Sequence, residues 1–316
     1  MTRASLPNPS PPRLPGLDAL RCLALALVLY RHVASNYAPL DLPVHVAGLD
    51  AGQVGVALFC VLSGFLALDG RRAPWPWLVA RLARIFPPLW LVTALSVAGA
   101  LVTAYKPVVP KYLALQAFGL GYFVPPAFRL NVVVWFITLI LACYMLALAA
   151  RMLGAGAGPA WGALGASALL LVAVPDTITT HLVGFAAGMA MRRTTVAGRM
   201  GLLGWAVPVL ATGAWLADAH FGYAALAALG LVAAHAVPLA RGWRPVAWIA
   251  RHAYEIFLLH GLVLVTLAHV LRLPVAVAVP LLLTATALAA IPLKHAADRL
   301  AAPILAGRPR AQSSWK

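Results

Sequence analysis

From Val132 to Ala150 no residue is charged, and the run is bounded by Arg129 on one side and Arg151 on the other. An apolar stretch of that length is about what a helix needs to cross a hydrocarbon core. Similar runs recur along the chain. We read ten of them, each bounded by charge or by Pro and Gly: 17–38, 51–69, 88–104, 131–150, 159–175, 177–191, 201–217, 222–240, 246–270 and 274–294. Only 10% of residues are charged, against roughly 25% in soluble domains, and the mean hydropathy is +0.89. The expected fold is therefore all-α, a polytopic transmembrane helix bundle of about ten spans.

Charge placement orients the bundle. With the N-terminus inside, nineteen of the 24 Lys and Arg fall on the cytoplasmic side, and both termini are expected in the cytoplasm. Arg31, Lys106, Lys111, Arg129 and Arg272 remain outside. The apolar run 112–124 is too short to span and is read as an interfacial or re-entrant piece. If it crossed, every later loop would change sides and the bias would collapse. The net charge of +16 thus reflects topology and attraction to anionic lipids, and no nucleic-acid partner is implied. Residues 1–16 and 301–316 read as tails around a single transmembrane domain, 17–300, and no cleavable signal-peptide pattern is evident. Cys22, Cys60 and Cys143 sit in apolar runs without metal spacing and read as small buried hydrophobes. No metal site is expected.

Four constellations carry candidate chemistry. Arg21 and His32 lie eleven residues apart in the first run. A rise of ~1.5 Å per residue separates them by about 16 Å, so a cation near one face and an imidazole deep in the membrane share one helix. Such residues are costly in lipid and mark functional sites. Asp18, three residues before Arg21, suits an i,i+3 pair. The second constellation is Arg81-Leu-Ala-Arg84, followed by Pro87-Pro88. A short surface helix there would present two guanidiniums on one face, with Trp75 and Trp77 at headgroup level, before the prolines redirect the chain. Paired guanidiniums match phosphate oxygens; equally, they could be positive-inside charges resting on lipid phosphate.

The third is Ser63-Gly64, where a hydroxyl and a close backbone approach suit either a ligand or helix packing. The fourth is Tyr254-Glu255-Ile-Phe-Leu-Leu-His260. His260 lies about 13 Å beyond Arg251, a depth close to that of His32. Two imidazoles and a carboxylate could form one polar site; alternatively Glu255 pairs with Arg244 or Arg251, and His260 bonds a backbone carbonyl. His181 and His235 are placed facing the bundle or near span ends. Gly184-Phe-Ala-Ala-Gly188 fits a small-xxx-small contact.

In order along the chain, Leu17-Asp-Ala-Leu-Arg21…His32, Gly55-Val-Ala-Leu-Phe59…Leu62-Ser-Gly-Phe65, Arg81-x-x-Arg84…Pro87-Pro88, Trp135-Phe-Ile with Tyr144, and Tyr254-Glu-Ile-Phe-Leu-Leu-His260 resemble the membrane-bound acyltransferase-3 family. The resemblance implies O-acylation, usually O-acetylation, of cell-surface or exported carbohydrates at the bacterial cytoplasmic membrane. The implied donor substrate is cytoplasmic acyl-CoA, with no permanently bound cofactor, and the acceptor is a carbohydrate or lipid-linked carbohydrate. In that frame Arg81 and Arg84 would bind CoA phosphates and Arg21 would hold the donor. His32 would act as general base, or transiently carry the acyl group. Ser63, Gly64, Glu255 and His260 would line the cavity, with Glu255 or His260 orienting His32. Ile137-Thr-Leu-Ile-Leu141 lacks an acidic residue found in some members. The hydrolase-like extra domain of many members is not in this sequence, so any second transfer step is expected elsewhere. On composition alone, a transporter or flippase of glycolipid or polyisoprenoid-linked sugars is the rival, and a scaffold subunit of an envelope complex is a third option.

Overall fold

The computed structural model describes residues 15–37, 41–70, 72–196, 199–236 and 243–306. Among them are eleven α-helices: α1 (Pro15–Asn36), α2 (Ala51–Ala67), α3 (Pro74–Thr103), α4 (Pro110–Ala117), α5 (Trp135–Met152), α6 (Ala157–Ala173), α7 (Thr177–Arg193), α8 (Leu202–Ala217), α9 (His220–Ala236), α10 (Arg244–Val265) and α11 (Val275–Ala306). Two hairpins of two-residue strands interrupt them, β1–β2 (His45–Val46 with Leu49–Asp50) and β3–β4 (Thr195–Val196 with Arg199–Met200). The fold is all-α. Each of the ten apolar runs coincides with a helix. Four segments are long and apolar enough to cross a membrane by length and composition: Pro74–Thr103, Val132–Met152, Arg244–Val270 and Val275–Ala306. Helices α2, α6, α8 and α9 are apolar but shorter. The run 112–124 forms most of the eight-residue α4 and a 3-10 turn, too short to span. Residues 301–306, placed by the sequence in the tail, continue α11; positions 1–14 and 307–316 of the expected tails lie outside the described residues.

One expectation is corrected. Arg81 and Arg84 do not sit on a separate surface helix, because α3 runs unbroken through Pro87 and Pro88. The two prolines remove the N–H groups that would reach the carbonyls of Ala83 and Arg84. In the same turn the Tyr254 hydroxyl of α10 donates to the Ile85 carbonyl at 2.9 Å.

Helix α2 occupies the centre, packed by α1, α5, α7 and α9. Its closest partner is α7, which is buried from Thr179 to Met191. A Cβ on Gly64 would collide with the Phe185 carbonyl, and one on Gly188 would collide with the Val61 carbonyl. The two backbones therefore meet where side chains are missing, as small residues allow in lipid. Across the same crossing His181 Nε2 meets Gln53 Oε1 at 2.7 Å. At the far end of α1, Arg31 Nε donates to Asp50 Oδ2 at 2.5 Å, and Asp50 Oδ1 caps α2 through the Gln53 N–H. The turn between β1 and β2 needs positive φ at Ala47 and Gly48, +50° and +79°, as a two-residue hairpin loop does.

Apolar side chains fill the core and also cover much of the outer surface. Leu216 of α8 and Val102 of α3 are 90% and 86% exposed, a lipid-facing surface that suits a membrane protein. The segment between α3 and α5 is tied by polar bonds: Lys106 donates to the carbonyls of Pro126 and Arg129, and Arg129 to those of Val124 and Tyr122. Burial, and then the Arg129 charge, hold the Lys106 amine below its usual range.

Because the α2–α7 crossing has no room for a methyl group, Gly64→Ala is expected to cost about 1–3 kcal/mol. Gly213→Ala in α8, where nothing lies within 4 Å of the added carbon, is expected to be neutral or slightly stabilising. Thermal unfolding of the two variants in detergent checks the pair.

Candidate active site

A cavity of about 430 Å³ opens between α1, α2, α3, α5, α10 and α11. The direction of each helix sorts its walls into two ends. Arg21 of α1, Arg81 and Arg84 of α3, Arg251 of α10 and Lys294 of α11 bring five cations to it, against the carboxylates of Glu255 and Asp298. Moving along α10, the wall passes from Arg251 through Glu255 to Phe257, six residues or about 9 Å on. Helices α2 and α5 run the other way, so Phe59 lies deeper than Ser63, and Phe136 deeper than Tyr144. One end is cationic and the other aromatic.

Most of the cations are not neutralised inside the protein. Arg21 Nη1 contacts Asp18 at 3.3 Å, the i,i+3 pair its spacing predicts. Arg81 and Arg84 have no carboxylate partner among the described residues. Arg81 donates to the Leu66 carbonyl at 3.3 Å and lies over the Trp77 and Tyr144 rings, 5.6 and 5.9 Å from their centroids. Arg84 is exposed at the mouth. An excess of fixed positive charge in a concave, part-buried site focuses the field on an anion.

Trp77 is therefore not a headgroup anchor. It is 4% exposed and touched by two guanidiniums, Arg81 and Arg151, the latter 5.0 Å from the ring centroid. Trp75, at 60% exposure, keeps the interfacial reading. Arg151 is buried without a carboxylate. Instead it donates to the carbonyls of Ala67, Asp69, Gly70 and Arg72, which ties down the chain entering α3. Arg81 is thus positioned by aromatic rings whose own support is a buried cation.

Glu255 meets neither Arg244 nor Arg251 in an ion pair, nor does it orient His32. Its Oε1 lies 3.6 Å from Lys294 Nζ, which also reaches Asp298 at 3.6 Å. Its Oε2 is buried with no hydrogen-bond partner among the described residues. The reason is angular: five residues of helix separate Glu255 from His260 by about 140°, so the two side chains leave α10 on different faces. Ser63 is on the cavity wall. Gly64 is not; it serves the α2–α7 crossing.

His32 and His260 do come together. Their ring centroids are 5.1 Å apart, as the matched depths predict. His260 is fully buried, and its Nδ1 lies 2.6 Å from the Phe257 carbonyl. A carbonyl only accepts, so Nδ1 carries a hydrogen, which in the neutral ring leaves the lone pair on Nε2. That Nε2 is buried with no partner among the described residues. The backbone-carbonyl reading of His260 and the paired-imidazole reading therefore hold at once, the first through Nδ1 and the second as a contact between rings. Neither histidine lines the cavity: Phe257 stands on its wall and touches His260 at 5.5 Å between centroids. His181, on α7, and His235, near the end of α9, lie apart, the latter bonding the Leu231 carbonyl.

A sequence profile for the acyltransferase domain of the acyltransferase-3 family matches residues 14–294. This chain belongs to the acyltransferase-3 family. No curated protein and no solved structure gives a significant match. As a member of the family it is a membrane acyltransferase in general terms. In this acyltransferase the matched region takes in every cation of the cavity, ending at Lys294. Arg251 and Lys294 escaped the sequence reading because each looks like ordinary positive-inside charge. Phe59, Phe136 and Phe257 escaped it because an aromatic residue in an apolar run reads as core. The only signal for Lys294 is its place as a lone cation closing a long apolar run.

Removing Lys294 takes away the ion-pair partner of the buried Glu255 carboxylate, a costly change. Lys294→Met is expected to lower stability by about 2 kcal/mol, less than for a fully buried pair because the lysine is partly exposed. Lys294→Met with Glu255→Gln should recover part of that loss, which a double-mutant cycle of thermal midpoints measures.

Proposed function

We propose that this acyltransferase transfers an acyl group, acetyl first among the candidates, from acyl-CoA to a hydroxyl of a cell-surface or exported carbohydrate, free or lipid-linked. The reading sets the enzyme in the bacterial inner membrane as a multi-pass protein with both termini in the cytoplasm. The observation that carries it is the graded cavity, five cations at one end and a pair of imidazoles just beyond the other. CoA is a polyphosphate whose reactive thioester lies at the far end of a long arm, and this polarity fits that shape. Arg81 and Arg84 bind donor phosphates through charge-assisted bonds. Arg21 holds the donor from the α1 side, and Ser63 and Glu255 face the arm.

In the chemical step the acceptor hydroxyl oxygen attacks the thioester carbonyl carbon. His32 takes the hydroxyl proton as the new C–O bond forms. The C–S bond then breaks, and the CoA thiolate leaves with the electron pair. The proton on the His32 imidazolium returns to solvent or to the thiolate, so the enzyme ends as it began. A thiolate is a good leaving group, and no strong acid is needed opposite the base. His260, its Nδ1 hydrogen committed to Phe257, packs against the His32 ring and supports it from α10.

Inverted membrane vesicles with radiolabelled acetyl-CoA and an envelope extract test this reading. Label should enter a carbohydrate or lipid fraction and be released by mild base. His32→Ala is expected to reduce transfer by about 10²–10⁴-fold, the usual contribution of a positioned general base. Arg81→Ala with Arg84→Ala is expected to raise the apparent KM for acetyl-CoA by about tenfold or more, the loss of one or two charge-assisted bonds. Near-normal transfer by a folded His32→Ala enzyme would sink the base assignment. Movement of substrate across the membrane without any acyl donor would favour a transporter.

A further inference from the structure

The deep end of the cavity is closed by three phenylalanines from three helices. Phe59 of α2, Phe136 of α5 and Phe257 of α10 stand in a closed triangle, with ring centroids 6.3 Å (Phe59–Phe136), 4.8 Å (Phe136–Phe257) and 6.2 Å (Phe59–Phe257) apart. All three line the cavity. Phe136 and Phe257 are 7% and 4% exposed, so their rings are held by packing on other sides as well. Behind the triangle the contacts continue: Phe257 touches His260 at 5.5 Å, and His260 touches His32 at 5.1 Å. The residues on α10 are three apart and so share a helix face.

We infer that Phe59, Phe136 and Phe257 set the length of the acyl group this enzyme accepts. The inference rests on the donor reading above. If the cationic end holds the phosphates, the acyl end of the donor is the part that arrives at the rings. An acetyl group asks for one methyl's worth of space at the triangle. A hexanoyl group adds four methylenes along the line that the Phe136 and Phe257 rings occupy. Well-packed side chains yield little to added volume, and a pocket wall distinguishes one methylene by about tenfold or more. The rings thus select short acyl chains, and they do so at the end of the cavity nearest the imidazole pair. Removing one ring opens volume in line with the chain and leaves every cation of the mouth untouched.

The test measures binding without turnover, using CoA and two unreactive thioethers, S-ethyl-CoA and S-hexyl-CoA, on purified full-length protein in nanodiscs. The wild type is expected to bind S-ethyl-CoA at least about tenfold more tightly than S-hexyl-CoA. Phe136→Ala should shift that ratio by about tenfold or more towards S-hexyl-CoA, with CoA itself bound as before. Phe59→Ala, and the milder Phe136→Leu, provide the same reading if Phe136→Ala does not fold. A hexyl-to-ethyl ratio that stays within twofold of wild type across the folded variants, while CoA binds, would overturn the role of the rings alone. A wild type that prefers S-hexyl-CoA would do the same. Failure of the wild type to bind CoA or either thioether would overturn the donor reading and this inference with it.

Discussion

The close crossing of α2 and α7 is the contact on which the site depends. Gly64 and Gly188 let two helix backbones approach until carbonyl oxygens occupy the space of missing side chains. In lipid there is no hydrophobic gain from bringing apolar helices together, so association relies on such dense backbone packing. With α7 pressed against one side, α2 stands at the centre of the bundle. Its other faces are then free to present Ser63 and Phe59 to the cavity shared with α1, α3, α5, α10 and α11.

Around that centre the protein stores uncompensated charge in a graded way. Arg151 is satisfied by four backbone carbonyls and Trp77 rather than by an acid. Arg81 is steered by Trp77, Tyr144 and one carbonyl. Neutral partners of this kind fix a guanidinium in place without cancelling its charge. Lys294, committed to Glu255 and Asp298, and Arg21, beside Asp18, are the exceptions. The result is a mouth that keeps a net positive field for a ligand, and it leads to an aromatic wall. The imidazole pair lies behind the wall.

Much of this was legible in the residues. The ten apolar runs match helices, Asp18 pairs with Arg21, and His32 meets His260. These follow from repeat lengths and from rise per residue, which hold whatever the tertiary structure. Other readings failed for a common reason, that they depended on which helix lies opposite. Pro87 and Pro88 read as a break, yet α3 continues through them, packed against α10 and α11. Trp77 read as an interfacial anchor until Arg151, some seventy residues away in the chain, was found against it. Gly64 read as a possible ligand contact, although its open space is filled by Phe185.

The sequence by itself determined that this is an all-helical membrane protein, which acid and cation share a turn, and how far along α1 and α10 each imidazole lies from its arginine. Those are properties of single helices, set by hydrogen bonding within the segment and by the 1.5 Å rise. Only the tertiary structure decided that Lys294 answers Glu255, that three phenylalanines from separate runs close one cavity, and that five scattered cations converge. Helix rotation and pairing are governed by side-chain packing between segments distant in the chain, and no local pattern in an apolar run records which of its faces will meet a partner.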